Sequence, residues 1–84
     1  MTRRVLRGFN PQSFTAARHR HGISVSDLAR AADISAATIF NWEAGKGTPQ
    51  VDLLARVMQV LNTPIVDVID ITADLQAQVD AYNA

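Results

Sequence analysis

Eighty-four residues without a cysteine make one small domain, which excludes a disulfide framework and thiolate metal or redox chemistry. There is no N-terminal apolar run of a signal peptide and nothing near the roughly 20 apolar residues of a membrane span, so a soluble cytoplasmic protein is expected. The net charge is zero but unevenly spread: residues 1–46 carry seven basic against three acidic groups, and residues 47–84 carry one basic against five acidic. Such a split offers one face to phosphates and another to solvent or a partner.

The chain is punctuated like a string of capped helices. Arg3, Arg4 and Arg7 make a basic arm over residues 1–10, and Val5-Leu6 is a weak strand signal. Asn10-Pro11 supplies an N-cap and a proline for the first helical position, with Phe9 and Phe14 placed as a hydrophobic staple. The first helix is predicted over 11–21, stopped by Gly22. Ser24 caps a second helix running through Ala32, with Asp27 in a Ser-x-x-Asp capping box and Ile23 stapled to Leu28. Asp33 takes a left-handed turn. Ser35 caps a third helix that ends near Ala44, with Ile34 and Ile39 as its staple. Thr48-Pro49 is read as the cap and first residue of a fourth helix, with Val51, Leu54, Met58 and Leu61 as a buried stripe closed by Asn62. Thr63-Pro64 opens a short fifth helix through about Ile69. From Thr72 onward, Leu75, Val79 and Tyr82 recur at helical spacing. The expected layout is an arm at 1–10, a helical body at 11–70 and a helical extension at 71–84.

Residues 23–46 are the most informative stretch. Two short helices joined by a tight turn, with Leu28, Ala29, Ala32, Ile34, Ile39 and Trp42 spaced to lock them together, read as a helix-turn-helix. Ala29 is small enough for the helices to approach closely where they cross. Ile39 and Trp42 point inward, and the opposite face of the third helix is read as Ala36, Ala37, Thr38 and Asn41. That small, uncharged face suits a groove of base edges. Asn41 can bond an adenine edge in two places, and the alanines can touch thymine methyls or permit close approach. Thr38 can do either. Ser35, at a helix N-terminus with free N–H groups and the positive end of the dipole, suits a phosphate. Ser24, Lys46 and Thr48 complete the phosphate set.

In this order and spacing, Arg18, Gly22-Ile23-Ser24, Asp27-Leu28-Ala29, Ser35, Thr38-Ile39, Trp42-Glu43, Gly45-Lys46, Pro49, Leu54, Leu61 and Asp67-Val68-Ile69 resemble the lambda-repressor/Cro-type (XRE-like) helix-turn-helix family. The resemblance covers residues 14–69. It implies an all-α, compact five-helix DNA-binding domain, here with a C-terminal helical extension. It also implies a transcriptional regulator, a repressor working as a dimer on an inverted repeat of double-stranded DNA. Arg18 and Glu43 match a pair that forms an internal salt bridge in this family. Three positions depart from its pattern: Val25 stands where many members carry a phosphate-touching Gln, Asp33 where Gly is common, and Ala36-Ala37 where long polar side chains are usual. Specificity then leans on Asn41, the arm and DNA shape.

Other chemistries are weakly served. His19 and His21 do not share a helix face, so no metal is expected, and no cofactor is implied. A His near a phosphate would favour binding under slightly acid conditions. No catalytic triad and no P-loop spacing is readable, so the chain is not read as an enzyme. Arg3, Arg4 and Arg7 suit a narrow minor groove or the phosphates, against the plainer reading of an idle terminus. Phe40 projects beside Asn41, where it can shield a phosphate, touch a base, meet a partner chain or simply be one isolated exposed aromatic. Val66, Ile69, Ile71, Leu75, Val79 and Tyr82 form more apolar surface than the body needs. They serve a homodimer interface, a tail folded back on its own domain, or a protein partner as in antitoxins of this fold.

Overall fold

The computed structural model describes residues 7–70 and, beyond them, residues 75, 76, 79, 80, 82 and 83. Arg3, Arg4, the Val5-Leu6 strand signal and Ile71 lie outside the described residues. The described body is all-helical: α1 (Pro11–His21), α2 (Val25–Ala32), α3 (Ala36–Glu43), α4 (Val51–Val60) and one 3-10 turn (Ile65–Val68).

Three helices start where a side chain can cap them. Asn10 Oδ1 accepts the N–H groups of Gln12 and Ser13, each at 3.0 Å. Ser24 Oγ accepts from Asp27 N–H at 3.1 Å, and Ser35 Oγ accepts from Thr38 N–H at 3.3 Å. Each cap is worth about 1 kcal/mol. The carboxylate of Asp27 lies 3.3 Å from Arg30, one helical turn on.

Two predicted boundaries are corrected. Thr48-Pro49 does not open the fourth helix: α4 starts at Val51, after an extended Gln50 (φ −76°, ψ 144°). Pro49 is buried, so its ring serves the core and not a first helical turn. The segment after Pro64 is a 3-10 turn and not an α-helix through Ile69. Ile69 is extended (φ −128°, ψ 151°) because it pairs antiparallel with Phe9. The Thr63 hydroxyl donates back to the Leu61 carbonyl at 2.9 Å and caps nothing ahead of it.

All four helices of the described body end in the same closure. One residue just past each helix turns left-handed: Gly22, Asp33, Gly45 and Asn62. Its N–H bonds back three residues, and the next N–H bonds back five: Ile23 to Arg18, Ile34 to Ala29, Lys46 to Asn41 and Thr63 to Met58. This is the Schellman pattern, which satisfies carbonyls the helix leaves free. At Asp33 and Asn62 a side chain bears the left-handed strain that glycine would avoid.

Phe14, Leu28, Ile39, Leu54, Val57 and Val68 are completely buried at the centre of one apolar core. Helix α2 packs on α3 and α4, α1 packs on α3 and the 3-10 turn, and α4 meets that turn as well. The two ends of the body are laced together by Asn10 N–H to the Val68 carbonyl (2.8 Å) and Asp70 N–H to the Gly8 carbonyl (2.6 Å). Beyond the body, Leu75, Gln76, Val79, Asp80, Tyr82 and Asn83 are helical, and Gln76 donates to Asp80 at 2.9 Å, one turn along.

Candidate nucleic-acid interface

Helix α3 is held from beneath by aromatic contacts. Trp42 meets Phe14 of α1 edge-on at 5.8 Å between ring centroids, and Phe9 at 6.2 Å; Phe9 and Phe14 are 5.8 Å apart. Such ring pairs contribute roughly 0.5–1.5 kcal/mol each beyond burial. The root of the arm, the first helix and α3 thus share one anchoring cluster.

A brace secures the far end of α3. Arg18 Nε lies 2.6 Å from Glu43 Oε2, and its second nitrogen 3.0 Å from Oε1, the planar two-point geometry of guanidinium and carboxylate. A third nitrogen donates to the Ile23 carbonyl at 3.0 Å. The two side chains keep only 13% and 14% of their surface. Burial pushes the Glu43 carboxyl up. Hydrogen bonds from Arg18 and Thr15 and the charges of Arg18 and His19 outweigh it, leaving the group below the ordinary carboxylate range. The hydrogen bond with Glu43 raises the Arg18 guanidinium further. Both groups stay ionised, and both are occupied inside the fold.

The outward face of α3 differs from the sequence reading at one end. At about 100° per residue, Ala36 stands one turn before Ile39 and shares its inward side. It is half-buried and packs against the core, so it does not lie opposite Ile39 and Trp42. Thr38 is half-buried on the flank. The exposed residues of α3 are Ala37, Phe40 and Asn41, with Ala44 just beyond. Ser24, Ser35, Lys46 and Thr48 are all exposed, the two serines at helix N-termini and Lys46 fixed at its backbone by the closure of α3. Val25 is buried in the core, which gives its apolar side chain a structural role at the first position of α2.

Arg7 is exposed and lines one open cavity with Pro11, Glu43, Ala44 and Gly45, so the root of the arm sits beside the C-terminal end of α3. One contributor escaped the sequence reading. Arg56 of α4 reaches the turn and donates to the Asp33 carbonyl at 3.4 Å, where a cation also complements the C-terminal dipole of α2. Its signal was its isolation, the only basic side chain after Lys46. Of the apolar surface read toward the C-terminus, Val66, Leu75, Val79 and Tyr82 are exposed, while Ile69 is half-buried against the core of its own domain. Among the described residues no group of His, Cys, Asp or Glu gathers to hold a metal, and no helix is long and apolar enough to cross a membrane.

Two short helices joined by a tight turn, the second presenting an uncharged face and braced from below, define a helix-turn-helix DNA-binding domain. The chain belongs to the Cro/CI-type helix-turn-helix family: the family's helix-turn-helix model matches residues 15–68, close to two-thirds of the chain. That family is one of DNA-binding regulators. A search of curated proteins found no match.

Proposed function

We propose that this chain is a cytoplasmic transcriptional repressor that binds an inverted repeat of double-stranded DNA as a homodimer, laying α3 in the major groove. The observation that carries the reading is the charge state of α3. Glu43 is its only charged residue, and it is turned inward and paired with Arg18. The exposed face therefore offers phosphates nothing to repel, while Asn41 is free of the core to bond a base edge. Asn41 reads an adenine, and Ala37 and Thr38 set the approach. Ser24, Ser35, Lys46 and Thr48 hold phosphates and fix register. Arg3, Arg4 and Arg7 of the arm add backbone or minor-groove contacts. The reading needs no cofactor.

In this proposal residues 1–10 are the arm, 11–70 the DNA-binding body and 71–84 the extension. Val66, Ile71, Leu75, Val79 and Tyr82 supply the dimer surface that sets two copies of α3 about 34 Å apart, one turn of duplex, while Ile69 packs on its own body. Selection of bound duplexes from a random pool at about physiological salt tests it. Enrichment of an inverted repeat with half-sites one turn apart is expected, and no enrichment would refute it. A second reading is favoured by the exposure of Val66, Leu75, Val79 and Tyr82. In it the C-terminal surface binds another protein, as in an antitoxin or adaptor that also binds its own operator. A stoichiometric co-purifying protein, found alongside a selected operator, would favour it.

A further inference from the structure

In the body of the protein, Phe40 is an anomaly. It is 57% exposed on a helix whose other large apolar side chains, Ile39 and Trp42, are buried. It stands one turn after Ala37 and one turn before Ala44, directly beside Asn41. Ala37, Phe40 and Ala44 thus form an uninterrupted apolar edge along the exposed side of α3.

The surroundings narrow what meets that ring. A benzyl side chain donates nothing to a phosphate. A protein-docking patch needs a contiguous apolar area of a few hundred Å², but the neighbours of Phe40 on α3 are two alanines and an asparagine, too small to build one. The other large exposed apolar side chains among the described residues, Val66, Leu75, Val79 and Tyr82, belong to the C-terminal end and not to α3. What remains is an apolar group presented singly within a polar groove. The thymine C5-methyl is the one such group in the major groove of unmodified duplex DNA.

We propose that Phe40 is a specificity-determining residue that packs against a thymine methyl next to the adenine edge read by Asn41. The proposal rests on the major-groove placement of α3 given above. It makes the protein a reader of T over unmethylated pyrimidines at one position per half-site. A 5-methylcytosine at that position keeps the apolar contact.

The test uses duplexes selected by the wild-type chain, each thymine being replaced in turn by deoxyuridine, which removes only the methyl group. At one position per half-site, deoxyuridine is expected to weaken wild-type binding about fourfold, the worth of one buried methyl group. Phe40→Ala is expected to bind the thymine and deoxyuridine duplexes equally, and Phe40→Leu to keep a preference for thymine. Phe40 is more than half exposed, so the thermal midpoints of both variants should stay near wild type. Deoxyuridine without effect at every position would overturn the proposal without needing any variant. So would a Phe40→Ala chain that retains full discrimination. In either case the reading of the chain as a DNA-binding regulator stands. Failure to select any duplex overturns both.

Discussion

Replacing Glu43 by Gln should cost this domain a large share of its stability. The two-point contact with Arg18 is short, and each side chain keeps about one-seventh of its surface in water. Breaking a buried pair from one side costs about 3–5 kcal/mol, because the remaining charge is stranded. Residual exposure and the Ile23 carbonyl still partly solvate Arg18, which places the loss at the lower end, about 3 kcal/mol. Marginal stabilities of roughly 0.05–0.15 kcal/mol per residue put a domain of this length at about 4–12 kcal/mol. The variant therefore gives up between a quarter and most of it. Arg18→Met should do similar damage, whereas Arg18→Met with Glu43→Leu strands no charge and should recover most of the loss. Urea unfolding followed by helical circular dichroism on all four chains closes the cycle. Single variants that each lose under about 1 kcal/mol, or that add without coupling, would show the pair to be no better than a surface contact. The pH dependence gives an independent check. The folded Glu43 carboxyl lies below its unfolded value, so its contribution is complete above roughly pH 4.3 and is lost as pH falls through the folded value. The wild type should lose stability below about pH 4 more steeply than Glu43→Gln.

Three further outcomes follow from the geometry. Asp33→Gly should raise stability by about 1 kcal/mol, since it removes a left-handed side chain and a negative charge from the C-terminus of α2. A gain of about 4–8 °C in thermal midpoint reads it, and an unchanged or lowered midpoint would show that Asp33 is not strained. Asn41→Ala should relax base preference at one position per half-site by about 1–3 kcal/mol, measured by competition among single-base variants of the selected site. An equal loss on all sequences would count against base reading. Neutralising Arg3, Arg4 and Arg7 together should lower the slope of log affinity against log salt by up to about 2.7, which an unaltered slope in a salt titration would disprove.

Local chemistry was legible in the sequence, and long-range geometry was not. Asn10, Ser24 and Ser35 announce three helix starts because an N-cap acts on amides two or three residues away. Gly22 and Asp33 announce two helix ends for the same reason. Thr48-Pro49 carries an equally good local signal and misleads, because a distant demand, the core's need for the Pro49 ring, overrides it. Val57 was missing from the stripe read for the fourth helix, yet it is completely buried: α4 is covered by both α2 and the 3-10 turn, which widens its apolar face. Ile69 was counted with apolar surface left open between a dimer, a partner and its own domain; its pairing with Phe9 joins residues at opposite ends of the body, which no window of sequence contains. At the candidate site, the inward positions Ile39 and Trp42 were plain from size and spacing. Ala36 was misplaced because an alanine is small enough to suit either side of a helix.

The lacing of residues 8–10 to 68–70 closes the body into a ring of about sixty residues. By the logarithmic dependence on length alone, bringing such ends together costs roughly 3.6 kcal/mol of chain entropy. Two backbone hydrogen bonds at about 1 kcal/mol each fall short of that. The ring therefore closes only when the packed helices have already shortened the path and when Phe9 and Val68 find their places in the core. A seam of this kind forms late and opens early. Amide exchange at Asn10 and Asp70 should outpace that at Leu54 and Met58, and equal rates would mean the seam opens only with the whole domain. Residues 8–10 and 68–70 hold each other at this one seam, so a pull on either segment loosens the other as well.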